Sequence, residues 1–323
     1  MFRLRGLLVI TLVTSAWFNG SATICKPQDN DAAHPKSEEV DLDSLRRRAS
    51  AGDTQAAYRL GRCYMLGTGV SQDYAEAAKW YQKAAASGSS DAQFALGFLF
   101  EHGKGVAQEY KQAAFYYMAA AKQGHATAQN NLASLYEHGQ GVPQSLAQAA
   151  YWYQLAADQG EVVAQCNLAT LYFTGRGVPQ DASQVVRWFR GAAQRGYAPA
   201  QANLGWLYYT GTGIAADYAE AAKWTRLAAE QGYAPAETDL AYLYEQGRGL
   251  PLDYVNAYVW YWAASAAGDK RAAAKLKEIV HRMTPRQIIA ATNRAETTQL
   301  RAWHSGTEWP SAEAAEGTFS RPH

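Results

Sequence analysis

The chain has 323 residues, 48% of them hydrophobic, and its 30 Lys and Arg are offset by 29 Asp and Glu to a formal charge of +1. Near neutrality argues against a nucleic-acid partner, which needs a basic stripe. Three cysteines do not make a disulfide framework, so packing alone must hold the fold.

Residues 1–22 read as a signal peptide: Arg3 and Arg5, an apolar run from Gly6 to Phe18, then small residues at Gly20, Ser21 and Ala22. The run is well short of the roughly 20 residues that span a bilayer. Cleavage after Ala22 leaves no membrane span; left uncleaved, the segment would anchor the protein to the inner membrane. Cys25 lies close enough for a lipoprotein box, but Ile24 stands where such a box needs a small residue. Residues 23–41 are polar and contain Pro27 and Pro35, the composition of a disordered lead-in. Leu42 to Ser50 is expected to form a short helix, the second helix of a degenerate first repeat that caps one end of an array.

From Ala56 the chain is periodic. Gly-x-Gly occurs at Gly67/Gly69, Gly103/Gly105, Gly139/Gly141, Gly175/Gly177, Gly211/Gly213 and Gly247/Gly249, always 36 residues apart. A fixed period of roughly 20–50 residues marks stacked supersecondary units. The first helix of each unit carries Ala at 56, 92, 128, 164, 200, 236 and 272 and Leu four residues on, one face of a helix. The glycines end that helix. Asp73, Asp181, Asp217 and Asp253 are placed to cap the next one. Second helices repeat Ala pairs with the aromatics Trp80, Tyr116, Trp152, Trp188, Trp224 and Trp260, which are expected to fill the space between units. A second aromatic usually follows, but Thr225 breaks that series. Tyr197-Ala-Pro199 and Tyr233-Ala-Pro235 put Pro where a helix begins.

After about Arg282 the period stops. Thr284-Pro285 opens a further helix, residues 284–303, with Ile288, Ile289, Ala295 and Leu300 as an apolar stripe to seal the C-terminal end. Residues 304–323 are expected to be a flexible tail. Residues 42–283 thus form an all-α solenoid, six full 36-residue repeats plus degenerate ends. Cys63 replaces a core Leu, and Cys166 lies nearly three units on. At about 10 Å per helix layer, the two lie beyond the reach of a disulfide.

The unit Ala128-Gln129-x-Asn131-Leu132-Ala133-x-Leu135-Tyr136-x-x-Gly139-x-Gly141-Val142-Pro143-Gln144, followed by Ala149-Ala150-x-Trp152-Tyr153-x-x-Ala156-Ala157-x-x-Gly160, resembles the Sel1-like repeat, a relative of the tetratricopeptide repeat. The resemblance covers about residues 54–283. It implies an α/α right-handed superhelix of antiparallel helix pairs whose first helices line a concave face. It also implies a scaffold or adaptor that binds a protein or peptide rather than a catalyst. Some exported relatives carry a bridged cysteine pair in each repeat and are linked to penicillin binding and β-lactam hydrolysis. This chain lacks those pairs, so a cell-wall-related hydrolase is the alternative reading.

No Ser-x-x-Lys, Gly-x-Ser-x-Gly, His-Glu-x-x-His or Walker loop occurs, so no catalytic or cofactor-binding residue is assigned. Matching His102 and His138 sit at helix ends about 10 Å apart, too far to share an ion, and no metal site is assigned either. The column that stands out is Asn131, Asn167, Asn203 and Asp239 on first helices, with Phe98, Trp206 and Tyr242 three residues along on nearly the same face. Asn can both donate to and accept from an extended peptide backbone, and aromatics give rigid anchors. The competing use of that column is to bond neighbouring helices and stitch repeats together. Phe173 and Tyr209, matched in adjacent units, add aromatic surface or plain packing. The reading is an exported scaffold, periplasmic or secreted, gripping a protein or peptide partner through that face in envelope assembly or host interaction.

Overall fold

The computed structural model describes residues 41–304, the last seven as backbone only. The expected signal peptide, nearly all of the lead-in and the tail beyond residue 304 lie outside the described residues, as does Cys25. Within that span the regular structure is helical, fifteen α-helices and one 3-10 turn. It falls into two compact units that divide after Gln180.

In the N-terminal unit, α1 (Leu42–Ser50) precedes α2 (Thr54–Leu66) and α3 (Tyr74–Ala86), α4 (Ser90–His102) and α5 (Tyr110–Lys122), α6 (Ala126–His138) and α7 (Leu146–Asp158), and then α8 (Val162–Thr174). The C-terminal unit runs α9 (Ala182–Gln194), α10 (Ala198–Thr210) and α11 (Tyr218–Ala229), α12 (Ala234–Gln246) and α13 (Tyr254–Ala266), α14 (Lys270–Ile279), the 3-10 turn Val280–Arg282, and α15 (Pro285–His304). Within each unit consecutive helices up to α14 pack as antiparallel pairs, and α15 packs on α13.

The boundaries follow from local chemistry. Gly103 ends α4 in the left-handed conformation (φ 64°), and its N–H reaches the Leu99 carbonyl, as does that of Lys104. Gly105 (φ 69°) has a further reason: a Cβ there would lie 2.2 Å from the Tyr74 carbonyl carbon of the preceding hairpin. One glycine stops the helix, and the other lets the loop press against the start of the previous second helix. Asp73, Asp181, Asp217 and Asp253 accept backbone N–H groups at the starts of α3, α9, α11 and α13, as their spacing predicts. Thr284 and Gln287 form a reciprocal capping box at α15 (2.9 and 3.3 Å). Of the stripe expected on α15, Ala295 is buried and Ile288 half-buried, while Ile289 is 62% exposed. One residue further along, it is turned about 100° around the helix.

The Ala and Leu columns are buried throughout. The aromatic pairs divide differently from expectation. Trp152 and Trp188 are buried, but Trp80, Trp224 and Trp260 are only half-buried. The deepest rings are the tyrosines that follow, Tyr81, Tyr117, Tyr153 and Tyr261. Tyr81 and Tyr117 press against Gly61 and Gly97, where a Cβ would come within 2.7 and 2.5 Å of the ring. Burial of each such ring stabilises by roughly 2–3 kcal/mol. Cys63 and Cys166 are buried and free.

Two polar columns run through this core. Gln129 and Gln165 donate to the carbonyls of Ala121 and Ala157 (3.0 and 3.1 Å), and Gln201 donates to Ala193 (3.2 Å). Gln159 and Gln231 in turn donate to Gln129 and Gln201, both at 2.7 Å. In the second column the buried tyrosine hydroxyls donate to carboxylates sixteen residues earlier, Tyr117 to Glu101, Tyr153 to Glu137 and Tyr261 to Glu245 (2.5, 3.0 and 2.8 Å). Arg176 and Arg282 close the latter two sets against Glu137 and Glu245 (3.2 and 3.0 Å). Desolvation and the neighbouring carboxylate hold the Tyr117 and Tyr153 hydroxyls protonated far above their ordinary range.

Candidate functional site: the first-helix face and its recess

The amide column splits into two kinds of position. Asn131 donates to the Tyr117 hydroxyl (3.1 Å) and accepts from Asn130 (3.2 Å). Asn167 donates to Asn130 of the preceding repeat (3.2 Å). Both amides therefore help to join repeats. Asn203 and Asp239, on α10 and α12, are half-buried and make no hydrogen bond among the described residues. Phe98 instead lies tilted against His102 at 4.2 Å between ring centres, with the Lys104 ammonium 5.3 Å from its ring. The imidazoles of His102 and His138 each bond a carbonyl one turn back on their own helices (3.0 and 2.9 Å). No group of three or more potential metal ligands gathers among the described residues.

The structure brings Trp206, Asp239 and Tyr242 together. They line a recess of about 10 Å³, room for roughly one water-sized group, with Gly205, Tyr209 and Thr225, all within the C-terminal unit. Its origin is a double exchange in the tyrosine–carboxylate column. Position 225 is Thr where its counterparts 81, 117, 153 and 261 are Tyr and 189 is Phe, and position 209 is Tyr where 101, 137 and 245 are Glu, 65 is Met and 173 is Phe. A ring that elsewhere fills the space between helices is missing, and the floor is open. Gly205 is needed beneath it, since a Cβ there would meet the Thr225 hydroxyl at 2.4 Å. Burial pushes the Asp239 carboxyl up to about 7, Arg271 opposing and Asp269 adding to that shift. Along one edge the Arg248 guanidinium lies 5.6 Å from the ring centres of both Tyr209 and Tyr218 and donates to the Tyr209 hydroxyl.

A Sel1 repeat family model matches residues 54–89, 90–125, 126–161, 162–197, 198–233 and 234–269. The chain belongs to the Sel1 repeat family. A family of this kind is typically non-catalytic, and its repeats build scaffolds for protein–protein interaction. The solved structure of c5321, a protective antigen of uropathogenic Escherichia coli strains with an SLR fold, is 30% identical with a TM-score of 0.58, covering 82% of this chain and 68% of that one. A Sel1 repeat protein from Oxalobacter formigenes is 28% identical with a TM-score of 0.61, covering 70% of this chain and 94% of that one. No curated protein matches. In Sel1 repeat terms, the recess marks the unit in which Thr225 replaces the aromatic held by Tyr81, Tyr117, Tyr153, Phe189 and Tyr261 in the others. Sequence reading named Trp206, Asp239 and Tyr242 and noted the break at Thr225. The link between Thr225 and Tyr209 needed the packing, because the two positions lie on different helices.

Proposed function

We propose that this Sel1 repeat protein is an exported, non-enzymatic scaffold that holds a protein or peptide partner against its first helices, in envelope assembly or host interaction. The observation that carries the reading is the recess around Trp206, Asp239 and Tyr242. There an acidic side chain without a hydrogen bond among the described residues and several aromatic walls meet on one first-helix face. Aromatic anchors in a concave setting supply most of the binding energy of protein interfaces. Export rests on the charged and apolar character of residues 1–22, and among the described residues no helix is long and apolar enough to cross a membrane.

The test is cross-linked capture from the native compartment, comparing wild type with Asn203→Ala/Trp206→Ala and with Phe115→Ser. Phe115 is 65% exposed on α5, a second helix, and serves as the control surface. Partner recovery should fall only in the double variant. Equal recovery from all three would overturn the assignment to this face.

A further inference from the structure

We infer that the recess between α10, α11 and α12 receives the primary ammonium of a lysine side chain carried by the bound segment. This rests on the scaffold reading and names what its recess selects. Trp206, Tyr209 and Tyr242 supply the walls, and ring faces attract a cation in preference to a neutral group of the same size. Asp239 supplies a carboxyl without a hydrogen bond among the described residues, about half ionised near pH 7.

The surrounding charges compensate Asp239 only in part, since Arg271 favours its ionised form and Asp269 opposes it. On α14, Arg271 is committed to Asp269 at 3.0 Å. From α13, Tyr261 faces the carboxyl as a neutral phenol whose hydroxyl is given to Glu245. From α11 comes Thr225, and from α10 the rings of Trp206 and Tyr209, none of them cationic. Burial makes ionisation of Asp239 costly, as its pKa of about 7 records, and an arriving cation would offset that cost. The chain already shows the preference at its rim, where Arg248 rests against Tyr209 and Tyr218.

Size selects among cations. An ammonium is a compact point charge on a thin apolar stem, whereas a guanidinium is a wide planar fork that favours a bidentate carboxylate. The recess is small, and aromatic side chains close its sides. One carboxylate among rings also lacks the several oxygens that a hard metal ion demands.

The experiment follows the Trp206 indole N–H by nuclear magnetic resonance in the full chain. The probes are Nα-acetyl-lysinamide, its uncharged analogue Nα-acetyl-norleucinamide, and Nα-acetyl-argininamide. The lysine probe should produce a saturable shift, with the norleucine and arginine probes at least about tenfold weaker. Asp239→Asn, which keeps the shape, should weaken the lysine probe about tenfold. The wild-type affinity should rise about tenfold from pH 6 to pH 8 as Asp239 ionises, and that dependence should vanish in Asp239→Asn. Thr225→Tyr should refill the recess and abolish the shift; should that variant not fold, the Asp239→Asn and pH results decide alone. The inference falls if the lysine probe gives no saturable shift, if norleucine or arginine matches it, or if Asp239→Asn binds unchanged. The probe contains no partner sequence, so its failure leaves the face-level assignment standing. Partner capture indifferent to Asn203→Ala/Trp206→Ala removes that assignment whatever the probe does.

Discussion

Glu237→Gln should stabilise the protein, and only above mildly acidic pH. Glu237 on α12 occupies the place held by Gln129, Gln165 and Gln201 in earlier repeats, and it is 2% exposed. Each of those glutamines donates to a carbonyl eight residues back, which for position 237 is Ala229. An ionised carboxylate has no proton to give, and its Oε2 is buried without a partner. Burial accordingly raises the Glu237 pKa from 4.5 to about 7. The folded-state pKa lies above the unfolded one, so the folded chain binds the extra proton and stability falls as pH rises through that window. At about 1.4 kcal/mol per pH unit, the penalty reaches about 3 kcal/mol above pH 7. Glutamine carries a permanent donor and no charge. Urea unfolding at about pH 8 should therefore show the variant more stable by about 2–3 kcal/mol, with a difference near zero at about pH 4. Asp239 also titrates in this range but is present in both proteins and cancels. A gain of the same size at both pH values would refute the protonation argument. A loss at pH 8 would mean that a cation already neutralises Glu237.

Two further outcomes test the packing. Tyr153→Phe removes the hydroxyl that donates to Glu137 Oε2 and leaves a buried carboxylate with Arg176 alone, so urea unfolding should show a loss of about 1–3 kcal/mol; unchanged stability would mean that water or another donor serves Glu137. Gly249→Ala and Gly88→Ala both force alanine into a left-handed conformation (φ 69° and 88°), but only at 249 would the new Cβ fall 1.8 Å from the Tyr218 carbonyl oxygen. Gly88→Ala should cost about 1 kcal/mol and Gly249→Ala about 3 kcal/mol or more, the latter with faster amide exchange at the start of α11; equal costs would deny the close approach.

The repeat spacing, helix ends and Ala and Leu columns were legible because each has a local cause. Gly103 must take a positive φ, Asp73 must satisfy free N–H groups, and Ala56 and Leu60 share a helical face whatever the partner. What could not be read depends on which neighbour each side chain meets. Trp80 and Tyr81 are adjacent aromatics, and the close seat on Gly61 is what lets the tyrosine go deeper. Gln129 looks like a surface residue until its carbonyl partner on the preceding helix is known. Asn131 and Asn203 are identical in sequence pattern, yet one is bonded on both sides and the other is not, because a tyrosine hydroxyl and Asn130 lie within reach of the first. The recess was half visible: Thr225 interrupts an aromatic column, but the compensating Tyr209 is on another helix.

The glycine that presses a loop onto the start of the preceding unit's second helix carries a genetic consequence. At Gly105, Gly141, Gly177, Gly213 and Gly249 backbone rests on backbone, so a change of register meets it directly. A single-residue insertion or deletion inside a unit would shift that contact and prise two hairpins apart. Such a chain can grow or shrink by copying or excising whole units, and its descendants should differ in length by multiples of the 36-residue period.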